Sequence, residues 1–335
     1  MTENGNQARP MRTLTVKNFS VIKEAKLEFG KITVLIGPQA SGKSLLCKLA
    51  YFFQQVAIEQ AEEAIKNSED LEQFQQRIKD VFHRWFTASV FPIGPIYGST
   101  SEIYYSDGAY WIRVSHRRFG ESTVQVQLDL SKGIEESYEA IHGKLEREKL
   151  RPESLPNPRF FAGEVRTRLT ELCESNTPDI YSYIPSTRAF FLTIHQAILG
   201  TAGRLDDIPL RFSQDFSYGF EGRIPKPGLD HPLTKWIDAE SERILLGKVV
   251  SAGSDYIFKA TDGRTLRLPV LSSGTQELLP LLTLLREYVA ASSAVAKALD
   301  LTQALHKRFF FLEEPESNIF PSSQYDLGRV NTISI

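Results

Sequence analysis

The sequence predicts an α/β fold, and three observations carry that reading. A β-branched run, Lys31-Ile32-Thr33-Val34-Leu35-Ile36, leads through a glycine-bounded loop into an apolar helical stretch, Leu45 to Phe53. A second apolar run, Arg308-Phe309-Phe310-Phe311-Leu312, lacks alternation and so reads as a strand covered on both faces, as in a parallel sheet. Between the two, helix-period stretches alternate with strands of period two. With 335 residues and a hydrophobic fraction of 41%, the chain can build one large or two ordinary domains around real cores.

Taken in order, Met1 to Pro10 is polar and reads as a loose tail. Leu14 to Phe19 and Ala25 to Phe29 alternate apolar and polar residues, giving two half-buried strands ahead of the glycine loop. From Val56 to Phe86 the apolar residues recur at three- and four-residue steps, with a break and a new helix start at Asn67-Ser68. Pro92 to Gly98 is a loop. Glu102 to Tyr105 and Tyr110 to Val114 flank Ser106-Asp107-Gly108-Ala109, a hairpin signal, and Thr123 to Leu130 adds a third strand. Ile134 to Lys149 and Ala162 to Cys173 read as helices, separated by the proline-rich stretch Arg151 to Pro158. Tyr181 to Ile184 runs into Pro185-Ser186-Thr187-Arg188 and a helix over Ala189 to Leu199. Thr201 to Pro232, rich in Gly, Pro and Asp, is expected to be a surface excursion. Leu233 to Leu246 is helical, and three short strands follow as a meander turned at Asp262-Gly263.

The chemistry lies in three stretches. Gly37-Pro38-Gln39-Ala40-Ser41-Gly42-Lys43-Ser44, followed by Leu45, fits G-x-x-x-x-G-K-[ST]. Its glycines allow a backbone path and a closeness to phosphate that a Cβ forbids. Successive N–H groups then form an anion nest at a helix N-terminus. Lys43 brings a charge to the β- and γ-phosphates, and Ser44 a hydroxyl to Mg²⁺. Ser272, Ser273, Gly274, Thr275 and Gln276 open a helix and make a second anion site; Gln276, three residues after Ser273, fits a capping box. Such caps are common, so this stretch alone equally reads as a capped helix. Glu313 and Glu314 stand where the apolar strand emerges, at the ligand edge of an open α/β sheet. One carboxylate there can hold Mg²⁺ through water, and the next can orient or deprotonate an attacking water. Without the glycine loop the same acids read as a solvated turn.

The order of phosphate loop, Ser-Ser-Gly helix and apolar strand with paired acids resembles the ABC-type ATPases. Within them it is most similar to the RecF/SMC/OLD-like branch of the AAA family ATPases, including defence ATPases of the Septu kind. Tyr183 to Arg188 is similar to a Pro-x-x-Arg element of OLD-like members. The resemblance implies a P-loop NTPase with a mixed or parallel central sheet, N-terminal antiparallel strands, and an inserted helical and β-hairpin section at 56–159 that divides an ATPase domain formed by 11–55 and 160–335. It implies ATP and Mg²⁺ as ligands and a homodimer that sandwiches ATP. Lys43 and Ser44 would grip from one side, and Ser272 and the Gly274 amide from the partner. Glu313 takes the metal side together with Ser44, and Glu314 the catalytic base. The expected role is ATP hydrolysis controlling a DNA-directed or anti-phage effector such as a nuclease. A catalytically incomplete ATP-binding scaffold and a transporter's ATPase subunit are the alternatives.

Three departures qualify the resemblance: Glu313 replaces the usual Asp, a metal-contacting glutamine has no assigned position, and no histidine follows Glu314. The chain is thus expected to stop inside the ATPase core, which makes nucleotide binding the firmer expectation and turnover the weaker one.

Other classes are disfavoured by composition. A net charge of -2 gives no general attraction to nucleic acid or membrane. No stretch approaches the roughly 18 apolar residues of a membrane span, no signal-peptide stretch opens the chain, and Cys47 and Cys173 have no metal-type spacing, so a cytoplasmic protein is expected. Arg113, His116, Arg117 and Arg118 lie among Tyr110, Trp111 and Phe119; the charged face of an ordinary hairpin is the favoured reading and a nucleic-acid contact the minor one. Arg188 either approaches a phosphate or starts a helix. The other histidines show no ligand spacing.

Overall fold

A computed structural model describes residues 12–86, 100–119, 123–151, 156–174, 180–190, 192, 208–213, 216, 232–252, 255–298, 308–315 and 317. The chain divides into two compact units, Met1–Thr177 and Pro178–Ile335.

The first unit is a helical layer on one antiparallel sheet. Strands β1 (Arg12–Phe19), β2 (Ile22–Phe29), β3 (Thr100–Asp107), β4 (Tyr110–Phe119) and β5 (Thr123–Leu130) stand in the order β2-β1-β3-β4-β5. Gly108, at φ 64, turns the predicted β3–β4 hairpin. The pairing of β1 with β3 aligns Leu14 with Tyr105 and Val16 with Ile103, so one face is buried and mainly apolar. The three strands within residues 56–159 extend the sheet that the N-terminal hairpin begins.

Helix α1 (Lys43–Tyr51) passes through a π turn at Phe52–Val56 into α2 (Ala57–Lys66). The Tyr110 hydroxyl donates to the Phe53 carbonyl at 3.2 Å, anchoring the π turn to the sheet. α3 (Leu71–Trp85) starts where the sequence breaks, with Asp70 and Gln73 forming a reciprocal capping box. α4 (Lys132–Lys149) and α5 (Pro158–Glu171) complete the layer; α5 opens with Asn157 as its cap and proline at its first position. The core is aromatic: Phe52 meets Phe82 edge-on at 5.3 Å, and Phe53 stacks on Tyr105 at 6.1 Å.

The strand predicted at 31–36 does not form. No described strand pairs with it, and Ile32, Val34 and Ile36 are 63%, 70% and 91% exposed. β2 already ends at Phe29, on the edge of its sheet, and β propensity without a partner ladder does not hold a strand.

In the second unit, β6 (Ile180–Ile184) pairs in parallel with β10 (Arg308–Leu312), as the apolar run requires. Coverage of β10 on both faces is incomplete: Phe311 is buried, while Phe309, Phe310 and Leu312 are partly exposed. β7 (Gly247–Ala252), β8 (Asp255–Ala260) and β9 (Thr265–Arg267) form the predicted meander after α6 (Pro232–Leu245). The core is built on α7 (Ser273–Ala298) through Leu278, Leu281, Leu282 and Leu285, with Phe258 and Ile184 against them. Part of the predicted excursion joins this core. Residues 208–213 are helical, and Ile208, Phe212 and Phe216 are buried, an apolar spacing hidden among the turn formers around it.

The two units are thus α/β in content, and no helix among the described residues is long and apolar enough to cross a membrane. Met1–Pro10, the loop at 92–98, most of the helix predicted at 189–199 and the side chains of 117–119 lie outside the described residues.

His116 belongs to the core of the first unit, not to a nucleic-acid face. It is 3% exposed and packs on Phe82 with centroids 5.4 Å apart. Burial pushes its imidazole down to about 3, and His83 adds a smaller push. An unfolded chain protonates the same ring near its ordinary value of 6.5. The unfolded state therefore takes up the proton first as pH falls, and stability is full above pH 6.5 and lost from there toward pH 3. We expect this group to cost about 2 kcal/mol between pH 7 and pH 5. Denaturant unfolding of the wild type and His116→Phe at the two pH values checks it: the variant should show a loss smaller by that amount, and equal losses would refute the assignment.

Candidate functional site

The glycine loop belongs to the first unit. Ala40 and Gly42 both take left-handed backbone, at φ 59 and 92, and Gly42 caps α1. Two such residues this close bend the chain sharply within the loop. Gly42 is required twice, since a Cβ there would also lie 2.8 Å from Ile22 Cγ1 on β2. The loop is therefore braced on the β1–β2 hairpin. Residues 36–41 are exposed, as is Ser44, and the first-turn amides of α1 have no intrahelical acceptor. Lys43 arcs back over its own loop, donating to the carbonyls of Gly37 at 2.7 Å and Pro38 at 2.6 Å.

The acids and the serine helix belong to the second unit. Parallel pairing carries β6 and β10 out at one edge, where the Glu313 amide still donates to the Ile184 carbonyl at 3.0 Å. Glu313 turns inward. Its Oε1 accepts from the Tyr183 hydroxyl at 2.5 Å, and its Oε2 from the Ser186 amide at 3.1 Å and the Ser186 hydroxyl at 3.4 Å. Glu314 is exposed and sits at φ 41, a left-handed conformation unusual for a residue with a side chain. Its Oε2 accepts from the Ser317 hydroxyl at 2.9 Å.

The serine helix starts one residue earlier than its sequence pattern suggests. Ser272, not Ser273, is the cap: its Oγ accepts from the Thr275 amide at 3.3 Å and lies 2.8 Å from the Thr275 hydroxyl. Gln276 does not close a box on Ser273 but donates to the Pro269 carbonyl at 2.9 Å. Two adjacent serines can each cap, and the 3₁₀ turn at Leu268–Val270 leads through extended Leu271 into the one that does. Ser272 and Ser273 are exposed, and Gly274 is partly so.

Arg188 joins these parts. Its guanidinium is fully buried, with no exposed surface. Nε donates to the Glu277 carbonyl at 3.1 Å and stands 3.3 Å from the Glu277 carboxylate. One terminal nitrogen donates to the carbonyls of Glu313 at 2.8 Å and Pro185 at 3.3 Å, and the other to the Glu314 carbonyl at 2.9 Å. Arg188 thus neither approaches the surface nor serves only to start a helix. Glu277 and Tyr183 lay inside stretches that the sequence marks, but no pattern in either stretch announces a buried partner.

On the outer face of the five-stranded sheet, Arg113 lies over Tyr104 and Trp111, with its centre 5.4 and 6.0 Å from their rings, and 3.8 Å from Glu102. Lys17 and Lys26 on that face likewise stand near Glu24 and Glu28. No group of His, Cys, Asp and Glu among the described residues has the makings of an all-protein metal cage.

No protein-family model matches this chain, and no curated protein matches it. Function must then be argued from the site itself.

Replacing Gly42 tests the brace. Gly42→Ala forces a side chain into left-handed backbone and against Ile22, and should cost about 1–3 kcal/mol in denaturant unfolding. A change within about 0.5 kcal/mol of zero, the usual size at an unconstrained surface site, would show that the loop relaxes freely.

Proposed function

We propose that this chain is an ATP-binding and hydrolysing ATPase of the ABC type, similar to the RecF/SMC/OLD-like branch, whose nucleotide-dependent dimerisation controls a DNA-directed or defence effector. The observation that carries the reading is the Arg188 clamp. It gathers the serine helix and the paired acids, separated from it by 89 and 125 residues in sequence, at the exit of the two parallel strands. A chance helix cap and a chance acidic turn have no reason to be tied together by a buried charge. The glycine loop supports the same reading, with exposed residues, two left-handed positions and a lysine that already seeks oxygen ligands.

The residues fit the ligands this implies. Phosphate oxygens can replace the carbonyls that Lys43 now bonds, and the amides of 40–45 face no helical acceptor. Mg²⁺ takes few protein ligands and keeps waters, so the Ser44 hydroxyl with phosphate oxygens is a sufficient inner set. Glu313 Oε1 keeps lone-pair capacity beyond the one donor it holds, which fits contact through water, whereas Oε2 already takes two donors. Such an ion would neutralise phosphate charge, while Glu314, exposed beside it in sequence, takes the role of orienting water. Ser272 and the Gly274 amide are offered to a second copy.

One observation favours a second reading, an ATP-binding subunit without turnover: both Glu313 oxygens are already engaged by Tyr183 and Ser186.

ATP binding, turnover and sedimentation of the wild type, Lys43→Ala and Glu314→Gln separate the two. Lys43→Ala should weaken ATP binding at least about 100-fold, the loss expected for a charge-assisted phosphate contact. Glu314→Gln should keep binding, lower turnover at least about 100-fold, and hold dimers when ATP is present. Turnover equal in wild type and Glu314→Gln would establish the second reading, and a wild type that binds no ATP would overturn both.

A further inference from the structure

We infer that Arg188 is a positioning residue that makes the Ser272 helix start and the Glu313–Glu314 turn one rigid piece, so that displacement of either is passed to the other. The inference rests on the clamp geometry and, for its catalytic consequence, on the ATPase reading above.

A guanidinium offers donors in a fixed planar fork. Here that fork is spread over three chain segments: the turn after β6 at Pro185, the first turns of α7 at Glu277, and the end of β10 at Glu313 and Glu314. Four of its acceptors are backbone carbonyls, so the bonds fix main-chain positions, not side-chain rotamers. A buried charge stripped of its partners is costly, so no single segment can pull away while the other two stay. Pro280 adds to the asymmetry. Lacking an N–H, it leaves the Gln276 carbonyl without its helical donor and loosens the ladder at the turn that Arg188 grips. At this turn the Arg188 bond to the Glu277 carbonyl supplements a helix ladder that lacks one donor.

Ser272 and Thr275 are exposed or partly so, and Glu314 is exposed on the same α7–β10 piece. Under the ATPase reading, Ser272 meets the phosphate offered by a second copy, and Glu314 is the group that orients water. Arg188 then links the two within one subunit: seating of the partner's phosphate at Ser272 sets the Glu314 turn.

The test uses the whole chain as wild type, Arg188→Gln and Arg188→Lys. Without nucleotide, amide hydrogen exchange should rise at least about tenfold in Arg188→Gln over both 273–279 and 312–315, with β7 and β8 unchanged. Arg188→Lys, which keeps the charge but not the fork, should fall between. A rise in one segment alone, or across the whole unit, overturns the inference. Where Arg188→Gln does not fold, Glu277→Gln replaces it and should loosen the same two segments. With ATP, the variant should lower kcat at least about tenfold and keep KM within about twofold, with the Hill coefficient falling toward one, because the glycine loop is untouched. An equal loss in both parameters overturns the link between sites. A wild type that binds no ATP sinks the ATPase reading instead, and the exchange result alone then decides the clamp.

Discussion

The second unit is organised around a single buried positive charge. Taking a guanidinium out of water costs several kcal/mol even after relaxation, and the cost is offset only where every donor finds an acceptor. Arg188 offsets that cost by bonding four carbonyls through its three nitrogens, with the Glu277 carboxylate 3.3 Å away as counter-charge. The acceptors impose their own demands. The carbonyls of Glu313 and Glu314 can both face the guanidinium only if the chain turns sharply after β10, and Glu314 accordingly adopts left-handed backbone. Such a conformation costs on the order of 1–3 kcal/mol and persists where its surroundings over-determine it. Here they do so through Arg188 and through the Ser317 amide, which donates to the Glu314 carbonyl at 3.1 Å. Glu313 is thereby turned inward onto Tyr183 and Ser186, and Glu314 outward into solvent. Two adjacent carboxylates end in different environments because one backbone bend separates them.

Much of the fold was legible because local chemistry dictated it. The β3–β4 turn needed a glycine at positive φ, and Asp107-Gly108 supplied one. The break before α3 needed a cap, and Asp70 with Gln73 provided a reciprocal one. The β10 strand followed from an apolar run too short for a helix, while its partner β6 did not. The failures have equally local causes. His116 was grouped with its basic neighbours in sequence, yet the period of two that makes β4 a strand places it on the same face as Tyr110, Ile112 and Val114. Ser273 was chosen as the cap by counting to Gln276, although Ser272 serves Thr275 by the same count. The run at 32–36 has the residue preferences of a strand and no partner among the described strands, and pairing is a tertiary fact that composition does not contain. Arg188 is the hardest case. Its acceptors are main-chain carbonyls, which every residue carries, so no sequence pattern distinguishes them from any other.

The first unit solves a different problem, that of holding an exposed loop in a fixed shape. A glycine-rich segment loses much conformational entropy on ordering, and the Lys43 bonds to the Gly37 and Pro38 carbonyls join only its two ends. The compensation comes from below. Gly42 lies against Ile22 of the β1–β2 hairpin, closer than any side chain would allow. The helix that leaves the loop is then tied to the sheet at its π turn by Tyr110, and buried among Phe52, Phe53 and Phe82. A π turn leaves one carbonyl poorly served by the helix ladder, and the tyrosine hydroxyl reaches Phe53 where an all-α helix would have no vacancy. Loop, helix and sheet therefore share one aromatic core, and disturbance of that core is transmitted to the loop.

The two units place their exposed chemistry on opposite kinds of support. The glycine loop stands on packing, in which a close contact excludes a Cβ and an aromatic core fixes the helix behind it. The acids and the serine helix stand on hydrogen bonds to a buried ion. Packing tolerates small shifts poorly but has no charge to strand, whereas an ion clamp fails as a whole when one donor is lost. A loop that must grip the same phosphate geometry on every occasion suits the first kind of support. A pair of segments that must move together, and only together, suits the second. On the proposed reading, the unit that binds nucleotide is the rigid one, and the unit that answers to a second copy carries the all-or-none connection.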